Sequence, residues 1–304
     1  MTTSHEALSR SQLQDAADEI PHWFHSIDLG QGIVTPGDKT IEILIEEQEL
    51  LHLPDLRGKS VLDIGAWDGF YSWKAESLGA SRVVSLDHFS WMIDRERAAE
   101  LNEKWRKENL KPIPYEKTDA WKPDRLLGKR GYDLAHRALN SGADCVVADF
   151  LEVDNEDLGG PFDIVLFLGV LYHMRNPILA LEKVAEATKD LAIIETASIE
   201  LSNYPKLALC EFYERNEFGD DFTNWWAPNE KALIGMIRAA GFDRVEVIKG
   251  APDRNPIPST PSSFWTKLKR GGGDFLREFD LLPPLNDTPQ PEVTAYRAVV
   301  HAWK

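Results

Sequence analysis

Ser60-Val61-Leu62-Asp63-Ile64-Gly65-Ala66-Trp67-Asp68-Gly69-Phe70 reads as a strand that runs into a tight glycine turn and opens a helix. Val61, Leu62 and Ile64 supply the apolar strand, and the helix is expected from about Phe70 to Leu78. A second apolar strand follows and ends in an acid: Arg82-Val83-Val84-Ser85-Leu86-Asp87. Strand, glycine turn, helix, strand and acid together form one half of a nucleotide-binding α/β sheet. The turn lets a ligand approach the main chain, and the Asp87 carboxylate can accept both hydroxyls of a ribose.

The spacing of the turn narrows the ligand. A dinucleotide site needs G-x-G-x-x-G, whose middle glycine lets a pyrophosphate come close. Here the glycines are Gly65 and Gly69, and Trp67 stands where the middle glycine would be. An indole there argues against NAD. Asp63, just before the turn, would repel a pyrophosphate and attract an ammonium group. A cationic nucleoside that carries an amino acid fits better. The pattern resembles the class I S-adenosylmethionine-dependent methyltransferases, whose turn has the form E/D-x-G-x-G-x-G. The resemblance implies S-adenosylmethionine as cofactor and S-adenosylhomocysteine as product. Asp63, Gly65, Trp67, Gly69, Asp87 and the adjoining His88 are the expected contacts.

Composition limits the other classes. The chain has 304 residues, 43% of them hydrophobic, which suffices for a substantial core. No apolar run reaches the roughly 18–20 residues of a membrane helix. The segment Met1 to Ile20 is polar and acidic, unlike a secretory signal, so a cytoplasmic location is expected. Two cysteines, Cys145 and Cys210, support neither a disulfide framework nor a Cys-rich metal site. Cys145 lies in an apolar run and reads as a core thiol. The net charge of −16 disfavours long-range attraction to a polyanion, and the basic clusters Lys104 to Lys111, Lys129-Arg130 and Lys267 to Arg270 are short.

Further strands continue the sheet. Cys145-Val146-Val147-Ala148-Asp149-Phe150 ends in an acid and an aromatic, and the resemblance makes Asp149 and Phe150 the expected adenine contacts. Phe162 to Gly169 is a near-continuous apolar run, as a parallel strand buried on both faces requires. Pro177 opens the next helix, Leu191 to Glu195 reads as a strand, Lys231 to Ala240 as a helix closed by Gly241, and Val245 to Lys249 and Tyr296 to Trp303 as the last strands. The fold expected is α/β: a doubly wound, seven-stranded, mostly parallel Rossmann-like methyltransferase sheet with an N-terminal arm and inserted helices. Residues 1–58 form the arm or lid, and 59–304 the cofactor-binding domain, with acceptor-site insertions at about 89–144 and 199–229. The stretch Ala251 to Gln290, rich in Pro, Gly and Asp, reads as surface loop, with Phe275-Leu276 as an anchor. Asp63, Gly65, Asp87, Asp149, Gly169 to His173 and Glu195 all fall at carboxyl ends of strands, where ligands of such sheets sit.

Val170-Leu171-Tyr172-His173-x-Arg175-x-Pro177, Glu195-Thr196, the terminal Tyr296-Arg297-Ala298-Val299 and the arm from Trp23 to Gly37 are similar to the tRNA wobble-uridine carboxymethyltransferase group. That group uses a carboxylated S-adenosylmethionine held by basic residues, and the resemblance offers Arg175 and Arg297. No lysine stands between Trp23 and Pro36, where the group places one. With the acidity, this favours transfer of an ordinary methyl group to a small-molecule acceptor over tRNA modification. A non-catalytic cofactor-binding partner subunit and a homo-oligomer remain open.

A sulfonium methyl is already activated, so the protein mainly aligns acceptor, methyl and sulfur and excludes water. A hydroxyl acceptor also needs a base, whereas a thioether or tertiary amine does not. His173, leaving the fourth strand of the domain, is the first candidate for a base or for a hydrogen bond to the acceptor. The alternative is a structural histidine that bridges backbone groups. Tyr172 walls the cofactor, and His25 either closes from the arm or packs. Glu211 and Tyr213 suit a cationic acceptor, unless they lie on a helix surface. Trp23, Trp226, Arg175, Glu195 and Arg297 complete the substrate side, and Gly169 the cofactor side. His22, His25 and Asp28 have helix-like spacing but nothing completes a metal set.

Overall fold

The computed structural model describes residues 8–201, 206–252 and 293–304. The expected surface stretch at 253–290, including Phe275-Leu276 and the basic Lys267 to Arg270 cluster, lies outside them.

The chain divides into two compact units, Met1–Leu166 and Phe167–Lys304. In the first, helix α1 (Arg10–Asp18) starts at a capping box in which the Ser9 and Gln12 side chains satisfy each other's amides. Strands β1 (Asp28–Gly30) and β2 (Ile33–Val34) form an antiparallel hairpin. Gln31 and Gly32 take positive φ at its tip, the twist a two-residue hairpin turn requires. Helix α2 (Ile41–Leu51) follows, capped by Thr40. The segment around His22, His25 and Asp28 is extended, with His25 bridging Lys39, so the helix-like spacing forms no ligand set.

Next come β3 (Ser60–Ile64), α3 (Phe70–Ser77), β4 (Arg82–Asp87), short α4 (Phe89–Met92), α5 (Arg95–Lys107), α6 (Arg130–Ala138) and β5 (Asp144–Val147). Strand β6 (Phe162–Leu168) is joined to the start of β3 by Asp163, which accepts from the amide and hydroxyl of Ser60, each at 2.9 Å. Val61, Leu62, Val84, Val165 and Leu166 are fully buried in the sheet. The insertion at 89–144 is helical as expected and carries Trp91 and Tyr132 into the interior. One expectation fails here. Cys145 is exposed rather than a core thiol, because β5 is the edge strand.

The second unit holds α7 (Pro177–Ala187), β7 (Thr188–Leu201), β8 (Cys210–Phe212), β9 (Trp226–Pro228), α8 (Glu230–Ala239), β10 (Arg244–Lys249) and β11 (Val293–Trp303). Pro177 stands at the start of α7, with Asn176 as its cap. Two strands outrun their expected lengths. β7 has 14 residues and pairs antiparallel with β11 along its length, from Leu191 opposite Trp303 to Leu201 opposite Val293. The ladder extends because β7 stays buried from Thr196 to Ile199, past Glu195, and β11 keeps Ala298 and Tyr296 buried opposite Thr196 and Ser198. Glu211 and Phe212 belong to a β8–β9 hairpin and not to a helix.

The main sheet has seven strands in the order β10-β11-β7-β6-β3-β4-β5. β3, β4 and β5 run parallel, and β11 is antiparallel to both β7 and β10. The strand order reverses between β3 and β6, the switch point at which such sheets open toward ligands.

Candidate cofactor and acceptor sites

In the first unit the β3–α3 turn is built from three left-handed residues: Gly65 (φ 78°), Trp67 (φ 48°) and Gly69 (φ 83°). Gly65 and Ala66 both donate to the Leu86 carbonyl, at 2.8 and 3.2 Å, which fastens the turn to β4. A Cβ on Gly69 would lie 2.3 Å from the Trp73 ring, so only glycine fits. Trp67 holds a backbone conformation that glycine adopts freely and a bulky side chain resists, at a cost of about 1–3 kcal/mol. Its surroundings offset this. Phe24 of the arm stacks on the indole at 4.1 Å and 5°, the Arg95 guanidinium lies 4.1 Å from the ring centre, and Trp91 donates to the Trp67 carbonyl at 2.6 Å.

Asp87 ends β4 and is buried. It accepts from the amides of Trp67 at 3.0 Å and Ser90 at 2.9 Å. Burial pushes its carboxyl up, against the pull of those amides. His88 rests edge-on against Trp121, at 5.1 Å. Asp149, just past β5, accepts from the Leu151 amide at 2.9 Å, and Phe150 beside it is buried. Asp63 is turned inward, where it accepts the Ser72 hydroxyl at 2.7 Å, and Ser85 donates to Ser72 at 2.7 Å. Burial raises its carboxyl to about 6, and Asp87 adds to the rise. The geometry thus gives Asp63 an internal partner.

The arm meets this turn through Asp68, which no sequence pattern singled out. The buried Asp68 carboxylate accepts the amides of Phe24 at 2.7 Å and His25 at 2.9 Å, and lies 3.7 Å from His25 Nδ1. His25 is buried between Phe24, Phe70 and Tyr71. Burial lowers its pKa, and Asp68 only partly restores it. Trp23 is 2% exposed and gives its indole N–H to the Ala17 carbonyl, so it is a packing residue with no face left for a substrate.

In the second unit, Gly169 (φ 74°) donates to the Glu195 carbonyl at 2.9 Å and leads into a 3-10 turn at Leu171–His173. Arg297 makes a two-point ion pair with Glu195, and its guanidinium lies 4.7 Å from the centre of the Tyr172 ring. Burial works against the Arg297 charge, but Glu195 and Tyr172 together outweigh it and hold the pKa up. Arg175 is exposed and stacks on Trp225 at 4.3 Å. Tyr213 is buried against Phe218 and donates to Glu211 at 2.8 Å; burial raises the Glu211 carboxyl despite that bond. Trp226 packs on Phe212 at 4.9 Å. The substrate-side residues therefore fall into one group around Arg297, Glu195 and Tyr172 and another on the β8–β9 hairpin. His173 turns toward Thr223, at 2.9 Å from its hydroxyl.

A family model described as a methyltransferase domain matches residues 42–247. The chain belongs to the methyltransferase domain family. The fold of this methyltransferase is shared by the N-terminal domain of EvdMO1, solved in the presence of SAH and D-fucose, with a TM-score of 0.55 at 16% identity over 98% of this chain and 97% of that one. Relatives by sequence include the tRNA U34 carboxymethyltransferases of Alteromonas mediterranea, 23% identical over 83% of this chain and 63% of the relative, and of Colwellia psychrerythraea, 25% identical over 79% and 61%. The methyltransferase thus spans about three fifths of the length of these curated relatives.

The residues of the first unit suit the S-adenosylmethionine of this family. A turn that only glycine can close at Gly69 stands beside a buried carboxylate at the end of β4, with a second carboxylate just past β5. Among the described residues, no group of three or more His, Cys, Asp or Glu could hold a metal, and no helix is long and apolar enough to cross a membrane. The sequence reading missed Asp68, Phe24, Asp221 and Thr223. Asp68 lay in plain view inside the turn, but its partners are 43 and 44 residues away.

Proposed function

We propose that this methyltransferase moves the methyl group of S-adenosylmethionine to a small-molecule acceptor. The observation that carries the reading is the β3–turn–α3–β4 unit, with Asp87 buried at the strand end and bonded to the amide of Trp67. Asp87 would take the ribose hydroxyls, and Asp149 with Phe150 the adenine. The bound cofactor supplies an activated methyl group. The chain then has to hold the acceptor, exclude water and, for a hydroxyl, remove a proton. Tyr172 and His173, with the aromatic hairpin from Phe212 to Trp226, are the residues proposed for the acceptor side. Residues 1–58 would act as the arm that closes the site, and 89–144 and 199–229 as the insertions that shape it.

A second reading, tRNA wobble-uridine carboxymethylation, is favoured by the names of the relatives. Two features weigh against it. The net charge is −16, and the positive charge of Arg297 is already balanced by Glu195, which leaves little there for an added carboxylate.

Calorimetric titration with S-adenosylmethionine, S-adenosylhomocysteine and NAD, after removal of co-purified ligand, tests the cofactor. Micromolar binding of the first two and none of NAD is expected, and the reverse pattern sinks the reading. Titration with tRNA at two salt concentrations separates the acceptors. Salt-sensitive binding would favour the second reading.

A further inference from the structure

We propose that Asp63 is a proton-linked partner for the positively charged end of the cofactor, so that a cationic nucleoside seated on the β3–α3 turn drives a proton off this carboxyl. The inference rests on the cofactor reading above and concerns the first unit alone.

Asp63 stands in β3, two residues before Gly65, and is buried. Its register partner on the parallel strand β4 is Ser85, so the two side chains share one face of the sheet. On that face Ser72 of α3 donates to Asp63 at 2.7 Å, and Ser85 donates to Ser72 at 2.7 Å. Both hydroxyl protons are committed in one direction, toward the carboxyl. An ionised carboxylate only accepts, so the row suits the charged form. Ser72 also lies in the first turn of α3, whose start lacks a side-chain cap, and its amide adds to the pull toward that form.

The rest of the surroundings oppose the charge. The other ionisable groups that act on Asp63 are Asp87 from β4 and Tyr132 from α6, and neither is a cation. Burial is the largest influence, and with Asp87 it lifts the carboxyl to about 6. Burial also keeps the Tyr132 hydroxyl neutral. A buried carboxylate ordinarily has a positive charge beside it. Here the chain supplies the hydroxyls and the ligand supplies the charge. S-adenosylmethionine has two positive groups, an ammonium and a sulfonium, and attraction from either favours ionised Asp63. The exchange balances simply: a neutral carboxyl becomes a carboxylate, and its proton leaves to solvent. Asp63 thereby selects a cationic nucleoside over a neutral or phosphorylated one, as a specificity residue.

The test is calorimetric titration of the full chain in two buffers of different ionisation heat, which counts the protons exchanged. About half a proton should leave per S-adenosylmethionine bound at pH 6, and affinity should be about tenfold weaker at pH 5 than at pH 7. The amino group of the cofactor titrates above this range. Histidines of the arm titrate within it, so variants make the assignment. Asp63→Asn can still accept from Ser72 and should bind with no proton release and a flat profile from pH 5 to 7. Ser72→Ala removes a donor to the charged form and should move the midpoint up by about one pH unit. A purely structural Asp63 would leave the proton count unmoved in both. S-adenosylhomocysteine locates the charge. Equal release with both ligands assigns it to the ammonium, and release with S-adenosylmethionine alone assigns it to the sulfonium. Binding without release of a proton, or release that persists in Asp63→Asn, overturns the proposal. Absent binding at every pH defeats the cofactor reading instead.

Discussion

One oxygen of the Asp68 carboxylate accepts the main-chain amides of both Phe24 and His25, at 2.7 and 2.9 Å. Asp68 stands in the glycine turn, and the next residue back, Trp67, stacks on Phe24. The arm and the turn are therefore one piece of structure. Whatever orders the turn orders the arm, so a ligand seated on Gly65 to Gly69 would be read by residues more than 40 positions upstream.

Removing the clamp should be costly. Asp68→Ala strands two amides in a buried setting and is expected to lower stability by about 3 kcal/mol. Asp68→Asn keeps an accepting oxygen and should lose less. Urea unfolding gives the first quantity, and hydrogen exchange at residues 24 and 25 shows whether the arm has loosened. Unchanged protection at both amides would mean that the arm is held by other contacts.

The indole of Trp67 offers a second prediction. Trp67→Gly relieves the left-handed strain but deletes the stack with Phe24 and the contact with Arg95. The two effects oppose each other, so global stability should change by no more than about 1 kcal/mol. Phe24→Ala loses the stack without relief of strain and should cost about 2 kcal/mol or more. Thermal unfolding of the pair distinguishes them. Equal losses would show that Trp67 is not strained.

Asp63 makes stability depend on pH. Its carboxyl is raised in the folded state to about 6, chiefly by burial. In the unfolded chain it titrates near 3.9. Between these values the folded state holds a proton that the unfolded state has released. Stability should therefore fall as pH rises from about 4 to about 6, by up to about 2–3 kcal/mol from this group. Asp63→Asn can still accept from Ser72 and should flatten that part of the profile. Denaturant melts at pH 4, 5, 6 and 7 for both proteins settle the matter, and parallel profiles would exonerate Asp63.

The Glu195–Arg297 pair is largely shielded from solvent and two-pronged, so half of it is worse than none. Glu195→Gln or Arg297→Met alone leaves a shielded charge unpaired and should cost about 3 kcal/mol or more. The double variant should lose clearly less than the sum. A double-mutant cycle by chemical unfolding yields the coupling, and strict additivity would rule out the pairing as a stabilising contact.

Much of this architecture was legible from residue order. Val61 to Ile64, the two glycines and Asp87 announce the first βαβ unit because strand, turn and helix each have a local pattern. Pro177 marked its helix for the same reason, through its fixed φ and missing N–H. Lengths were less legible. The local pattern ends β7 at Glu195, yet the strand runs to Leu201, because the pairing with β11 that prolongs it involves residues about 100 positions away. The β8 segment read equally well as a helix surface, and only the β9 partner at Trp226–Pro228 makes it a strand. Cys145 looked like core because its neighbours are apolar, but edge position is a property of the sheet order.

The sequence by itself determined the sheet, the glycine turn and the acids at the strand ends, since these follow from hydrophobic period, backbone sterics and charge within a few residues. Only the tertiary structure decided what each polar side chain does. It turned Asp63 inward to Ser72, set Asp68 on the arm, matched Arg297 with Glu195 and placed Thr223 against His173. Those choices are made by partners 9 to 102 residues away. A buried donor or acceptor must find a partner within about 3 Å, and chain proximity in space, rather than order along it, decides which one it finds.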